Sequence, residues 1–120
     1  MKRKKRRKAK TMIDAAKVRA YKMRNTKALP NVKELSGKTV TPVDCLLNEY
    51  TAADGSSHRV LAVDFGSAGM YKTEVAAFIE GFEGYWEVFG EDAEKPSITI
   101  TTSTSKRGNP YVTMTVNGVD

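Results

Sequence analysis

The chain has 120 residues, of which 40% are hydrophobic, and it contains one cysteine and one histidine. This is the size of a single compact domain, and one cysteine excludes both an intramolecular disulfide and a cysteine zinc site. No apolar run approaches the roughly 20 residues of a membrane span, and the basic start precedes no secretory apolar segment. We therefore expect a soluble protein with no membrane span, metal or cofactor, in the reducing cytoplasm or packaged in a particle.

Charge is divided unequally along the chain. Residues 1–40 contain 15 Lys and Arg against two acids, which gives +13. Residues 41–120 contain five basic residues against twelve acids, which gives −7, so that the sum is the net +6. A basic N-terminal segment is thus joined to an acidic body. The basic segment favours a polyanionic partner, DNA or RNA, and the acidic body could contact a protein partner or form an oligomer.

The first ten residues, MKRKKRRKAK, carry eight basic residues with no apolar spacing. Like charges at this density repel one another, so the sequence predicts a disordered arm over residues 1–10. Each cation that neutralises a phosphate releases a counterion and binds without reading base sequence. The predicted nucleic-acid-binding residues of the arm are Lys2, Arg3, Lys4, Lys5, Arg6, Arg7, Lys8 and Lys10. A nuclear-localisation-like run, a solubilising tail and an anchor on anionic lipid are the alternatives.

Residues 11–28 have the spacing of a basic helix, with a capping pair formed by Thr11 and Asp14. A narrow apolar stripe repeats at helical spacing and consists of Met12, Ala16, Ala20 and Met23. This helix either packs its apolar stripe on the body or enters a nucleic-acid groove, and the two are compatible. Its predicted nucleic-acid-binding residues are Lys17, Arg19, Lys22, Arg24 and Lys27.

Pro30 disfavours helical geometry in the residue before it, so residues 29–38 are predicted to link the helix to the body at 39–120. Within the body, residues 39–50 and 58–65 are predicted to form a β-hairpin around the Asp54-Gly55 turn. Cys45 lies in an apolar run and is expected to be a buried free thiol. His58, the only histidine, is expected to be an exposed loop residue without a catalytic or ligand role.

The second strand of this hairpin ends in Asp64-Phe65-Gly66-Ser67. Over about five residues it resembles the phosphate-contacting first motif of actin-like ATPases and RNase H-like nucleases. The first family needs a larger, doubled fold, and the second needs further carboxylates on neighbouring strands. The sequence has no convincing second carboxylate motif, so we interpret the segment as a strand end that turns on glycines.

A second helix is predicted from an amphipathic pattern formed by Val75, Phe78, Ile79 and Phe82. Gly81 and Gly84 predict that this helix ends near residue 82. Residues 85–89 are then either a short strand or a continuation of the helix. Aromatic side chains can stack on bases, but the surrounding acids would repel phosphate. We therefore expect Tyr85 and Trp86 to lie in the core or at a protein contact.

Residues 98–105 and 111–116 alternate with period two and are rich in β-branched residues, which predicts a second hairpin. Its apolar face is expected to pair Val112, Met114 and Val116 with Ile98 and Ile100, leaving the threonine face to water. The connecting turn carries Lys106 and Arg107. These are the last predicted nucleic-acid-binding residues, and they equally suit an ordinary exposed turn.

The predicted fold class is α+β, with a basic arm and helix followed by two β-hairpins and an amphipathic helix between them (β-β-α-β-β). No catalytic motif is visible, so the prediction is a non-enzymatic nucleic-acid-binding accessory protein with little sequence specificity. One alternative is an inhibitor of the phage or mobile-element type that binds and blocks a host nucleic-acid enzyme, such as a nuclease complex. Another is a structural particle protein whose arm condenses packaged nucleic acid.

Overall fold

A computed structural model of the chain describes residues 15–119; the arm predicted at 1–10 and residues 11–14 lie outside the described residues. The described part contains two α-helices and two three-stranded antiparallel sheets, which confirms the α+β class. The helices are α1 (Ala15–Arg24) and α2 (Ala76–Phe89). The strands are β1 (Thr39–Val40), β2 (Asp44–Thr51), β3 (Ser57–Asp64), β4 (Met70–Thr73), β5 (Ile98–Thr104) and β6 (Pro110–Val116).

Sheet A consists of β2, β3 and β4 in that order. The register pairs Leu47 with Leu61 and then Leu61 with Thr73, so these side chains share the face that lies on the core. Because successive side chains of a strand point to opposite faces, Val60 and Ala62 belong to the other face of the sheet. Both are nevertheless buried. The outer face of sheet A is therefore covered around these two residues.

Sheet B consists of β1, β5 and β6 in that order. Ile98 pairs with Val116 and Ile100 with Met114, which confirms the hairpin and the apolar face predicted from the alternation. The opposite face carries threonines, and the Thr39 and Thr99 hydroxyls lie 3.0 Å apart on it.

The chain crosses from sheet B to sheet A between β1 and β2. Thr39 and Val40 were predicted to belong to the first hairpin, but they pair with Thr99 and Ile98 of β5. Pro42 lies in the crossing and has a fully buried side chain. Since proline has no N–H to donate to a ladder, it separates the two strands, and β2 begins only at Asp44.

Helix α2 supplies the largest side chains of the core, with Phe78, Ile79, Phe82 and Tyr85 all buried. It runs to Phe89, so the predicted end near residue 82 is wrong, and residues 85–89 continue the helix. A glycine inside a helix costs about 1 kcal/mol relative to alanine. Burial of Tyr85, whose hydroxyl donates to the Pro96 carbonyl at 2.7 Å, outweighs that cost.

Residues 30–37, which we call the bridging segment, contribute two side chains to the core, although the sequence predicted only a linker here. Val32 and Leu35 are buried in a 3-10 turn at Val32–Leu35. At one end of the segment, the Pro30 carbonyl accepts from the Lys72 amide of β4 at 2.8 Å. At the other, the Gly37 amide donates to the Ile100 carbonyl of β5 at 2.6 Å. The segment therefore ties the two sheets together.

Candidate nucleic-acid interface

Helix α1 lies on the outer face of sheet A. Met23 is only 3% exposed, and the Asn48 side-chain amide of β2 donates to the Met23 carbonyl at 3.1 Å. This packing explains why Val60 and Ala62 are buried on a face that points away from the core. Burial of a methionine side chain contributes about 1.5–3 kcal/mol. The basic helix is thus part of the folded domain.

The inward side of α1 differs in part from the predicted apolar stripe. Met23 faces the sheet as expected, but Ala20 is exposed. Met12 and the side chain of Ala16 lie outside the described residues. Arg19 takes the inward position one turn before Met23, because a carboxylate is available there as its partner.

Asp64, at the end of β3, is that partner. Its Oδ2 lies 3.0 Å from the Arg19 Nε, and its Oδ1 accepts from the Gly66 amide at 2.8 Å. The residue is only 8% exposed, so the two partners offset most of the cost of burying its charge. Both oxygens of the Asp-x-Gly turn therefore have structural partners. Arg19, which the sequence predicted as a phosphate ligand, pairs with Asp64 and so holds the helix on the sheet.

The outward side of α1 carries exposed cations around an exposed aromatic ring. We call Lys17, Tyr21, Lys22 and Arg24 the cationic stripe. Tyr21 is 69% exposed, with Lys17 one turn before it and Arg24 one turn after it. Among residues 15–119, no carboxylate lies within 4.0 Å of a cation of the stripe. Within that range, the cations of the stripe have no ion-pair partner.

The remaining predicted cations lie elsewhere. Helix α1 ends at Arg24, and Lys27 falls in a separate 3-10 turn at Thr26–Ala28, because Asn25 leaves helical geometry. Lys27 lines a hollow of about 230 Å³ that it shares with Lys72 and Glu74. Lys106 and Arg107 are exposed at the β5–β6 turn, on the sheet that does not carry α1.

A cavity of about 490 Å³ opens beside the cationic stripe, and we call it the helix–turn pocket. One wall is the C-terminal half of α1 with the following turn, and the other is the turn between β3 and β4. The residues that line it include Tyr21, Lys22, Asn25, Asp64, Gly66 and Met70. Gly66 has φ +66°, a conformation that favours glycine, so the far wall is bare backbone there.

A second polar cluster surrounds His58, which belongs to β3 and not to a loop. Its ring stacks on Tyr50 at a centroid distance of 5.1 Å, and its Nδ1 lies 3.7 Å from the Glu74 Oε1. On the other side, its Nε2 lies 2.8 Å from the Ser56 hydroxyl. That hydroxyl donates to Asp54 at 2.6 Å, so its proton points away from the histidine. The cluster closes the β2–β3 hairpin.

Three groups of the β2–β3 hairpin have pKa values shifted by their surroundings. Hydrogen bonds from the Ser56 hydroxyl and amide lower the pKa of Asp54 below its ordinary value. Partial burial, and then the Glu74 carboxylate, raise the pKa of Tyr50. Burial and the neighbouring Asp44 raise the pKa of the Cys45 thiol to about 12. A thiol with that pKa stays protonated and is a poor nucleophile at neutral pH.

Residues 15–119 contain no group of three or more His, Cys, Asp or Glu side chains placed to hold a metal ion. In the same part of the chain, neither α-helix has the length and apolar character required to cross a bilayer. No family model, no curated protein and no solved structure matches this chain.

Sequence reasoning missed the groups that position the interface. Helical spacing already placed Tyr21 beside Lys17 and Arg24, so its membership of the stripe had a signal in the sequence. Asn48, which holds the backbone of α1, had none, because it is one of several polar residues of β2 and no local pattern distinguishes it from the others. The helix–turn pocket joins segments some forty residues apart in the chain, and local spacing carries no information about that proximity.

Proposed function

We propose that this protein is a small non-enzymatic accessory protein that binds DNA or RNA through phosphates, with little dependence on base sequence. The observation that carries the proposal is the two-sided use of α1. Met23 and Arg19 fix the helix to sheet A, while the cationic stripe points outward without a carboxylate partner among the described residues. Charges fixed on a docked helix meet phosphates at lower entropic cost than charges on a free chain.

The arm at residues 1–10 precedes this helix and adds eight further cations. Backbone contacts of this type supply affinity and little sequence information. In this proposal, α1 sets the position of the nucleic acid on the body, and the arm strengthens binding at low salt. The acidic body remains available for a protein partner or for self-association.

Removal of the whole basic segment is a poor test, because it would also remove Met23 and uncover Val60 and Ala62 on sheet A. Substitutions in the full chain separate charge from folding. Lys17→Gln with Arg24→Gln removes two exposed charges from the stripe. The matched control, Lys33→Gln with Lys38→Gln, removes two exposed charges from the segment between α1 and the body.

The measurement is the equilibrium affinity for single- and double-stranded DNA and RNA over a series of salt concentrations. Each lost phosphate contact reduces the log–log salt slope by about 0.7 for a single strand and about 0.9 for a duplex. The stripe variant should therefore lose about 1.4–1.8 units of slope, and the control should lose little. Equal slopes for the two variants would place the contacts elsewhere. A full-length protein that binds no nucleic acid near physiological salt would overturn the proposal.

The acidic surface of α2 supports a second candidate, the inhibitor that blocks a nucleic-acid enzyme. Glu80 and Glu87 are exposed on this helix, and Val88 beside them is 68% exposed. Such a surface suits a basic groove on a protein. The candidate predicts weak binding of bare nucleic acid, tight stoichiometric binding to an enzyme complex, and loss of that binding in Glu80→Gln with Glu87→Gln.

A further inference from the structure

The helix–turn pocket has the chemistry of a site for a flat, neutral, polar ring. Its volume of about 490 Å³ lies within the range of small-molecule sites, about 300–1,000 Å³. The exposed Tyr21 offers an aromatic face, and the Asn25 side chain offers one amide donor group and one acceptor. Gly66 on the opposite wall has no side chain to keep a planar group away from the backbone. Met70 adds an adaptable apolar surface.

The charges of the pocket favour a base over a phosphate inside it. Asp64 and Lys22 both line the pocket with opposite charges, so the lining offers a phosphate no net positive charge. Lys22 lines the same pocket from α1 and belongs to the cationic stripe, where a backbone phosphate is expected. The wall is also rigid, since Arg19 and the Gly66 amide hold the two carboxylate oxygens. A site that is formed before binding loses less entropy when a ligand enters.

We propose that the helix–turn pocket holds one unpaired nucleobase, stacked on Tyr21, of a single strand whose phosphates lie along the cationic stripe. This inference rests on the proposed function and deepens it, because it names single-stranded nucleic acid as the ligand. In a duplex, a base reaches such a pocket only after unpairing and unstacking, which costs a few kcal/mol. The protein therefore prefers single strands, and it tolerates different bases because every base has a face that stacks.

The experiment separates base binding from phosphate binding. Full-length protein is titrated with a fluorescent single-stranded oligothymidylate and with an abasic oligonucleotide that has the same number of phosphates. Stacking of one base predicts that the oligothymidylate binds about 5- to 150-fold more tightly at equal salt. Tyr21→Ala should remove this difference and leave the salt slope unchanged, whereas Tyr21→Phe should retain it. Since Tyr21 is 69% exposed, neither change should alter the thermal unfolding of the protein.

Two controls assign each outcome. Lys17→Gln with Arg24→Gln should weaken the binding of both oligonucleotides by the same factor and preserve the ratio of their affinities. A free mononucleotide, added as a competitor, should displace the strand only at high concentration, because it lacks the neighbouring phosphates. Equal binding of the two oligonucleotides with a steep salt slope would overturn the pocket inference and leave the proposed function intact. Absence of binding to either oligonucleotide would overturn both, and a ratio that persists in Tyr21→Ala would overturn the role of this pocket.

Discussion

Substitution of Met23 by alanine tests whether α1 is a structural part of the domain. Met23 is 3% exposed and lies on a sheet face whose residues Val60 and Ala62 are buried. Truncation of a buried methionine to alanine costs about 2–5 kcal/mol. A helix at the edge of a domain can relax toward the sheet, so we expect a value near the lower end, about 2 kcal/mol. That is a large share of the stability of a small domain, about 5–15 kcal/mol.

The assay is equilibrium urea unfolding of the full chain, followed by circular dichroism. With a denaturant slope of about 1.5 kcal/mol/M, a loss of about 2 kcal/mol lowers the midpoint by about 1.3 M. The matched control is Val18→Ala on the same helix, where the side chain is 39% exposed and the expected change is within about 0.5 kcal/mol. If Met23→Ala unfolds at the same urea concentration as Val18→Ala, α1 is not docked as described.

Three further predictions concern the body. The half-buried Cys45 thiol, with its pKa raised to about 12 by burial and Asp44, should react with thiol reagents at about pH 8 much more slowly than the same thiol in the urea-unfolded chain. The thiol of the unfolded chain ionises as the pH rises above its ordinary pKa of 9.0, while the folded thiol stays protonated. The urea midpoint should therefore fall with rising pH above 9.0, and it should fall more steeply in the parent protein than in Cys45→Ser. Gly84 lies on α2 with open space around it, so Gly84→Ala should stabilise the protein by about 0.5–1 kcal/mol. Gly66 has φ +66°, so Gly66→Ala should destabilise the protein by at least about 1 kcal/mol. Urea midpoints of the two variants that move in the same direction would contradict this. Hydrogen bonds from Ser56 lower the pKa of Asp54 in the folded protein. Their contribution to the free energy of unfolding is therefore present above the ordinary carboxyl pKa, and it is lost as the pH falls through the pKa of the folded protein. The melting temperature should therefore drop more between neutral and acidic pH in the parent protein than in Asp54→Asn.

The parts of the fold that the sequence predicted correctly are those decided by local pattern. Alternation of β-branched residues in β5 and β6, together with a turn between them, specified both the hairpin and its buried face. Other features depend on packing between distant segments. The local sequence around Thr39 does not indicate that this residue pairs with Thr99 in sheet B. The length of α2 was underestimated for the same reason, since burial of Tyr85 overrides the helix-breaking tendency of Gly81 and Gly84.

The candidate interface was predictable only on its solvent side. Helical spacing alone gathers Lys17, Tyr21 and Arg24 on one face of α1. Arg19 looked equivalent to them in the sequence, and only the fold shows that Asp64 lies 3.0 Å from it and forms an ion pair with it. A cation's availability depends on its three-dimensional neighbours, which composition and spacing do not contain.

The bridging segment also has a consequence for the kinetics of folding. Its hydrogen bonds to Lys72 and to Ile100 join residues that are far apart in the chain, and its 3-10 turn contacts both β4 and β5. Contacts of this kind close large loops, which lowers the rate at which a domain folds. They also make each sheet depend on the other. We therefore expect the two sheets to unfold in one concerted step, with amides in β3 and β5 exchanging with solvent at the same free energy of opening.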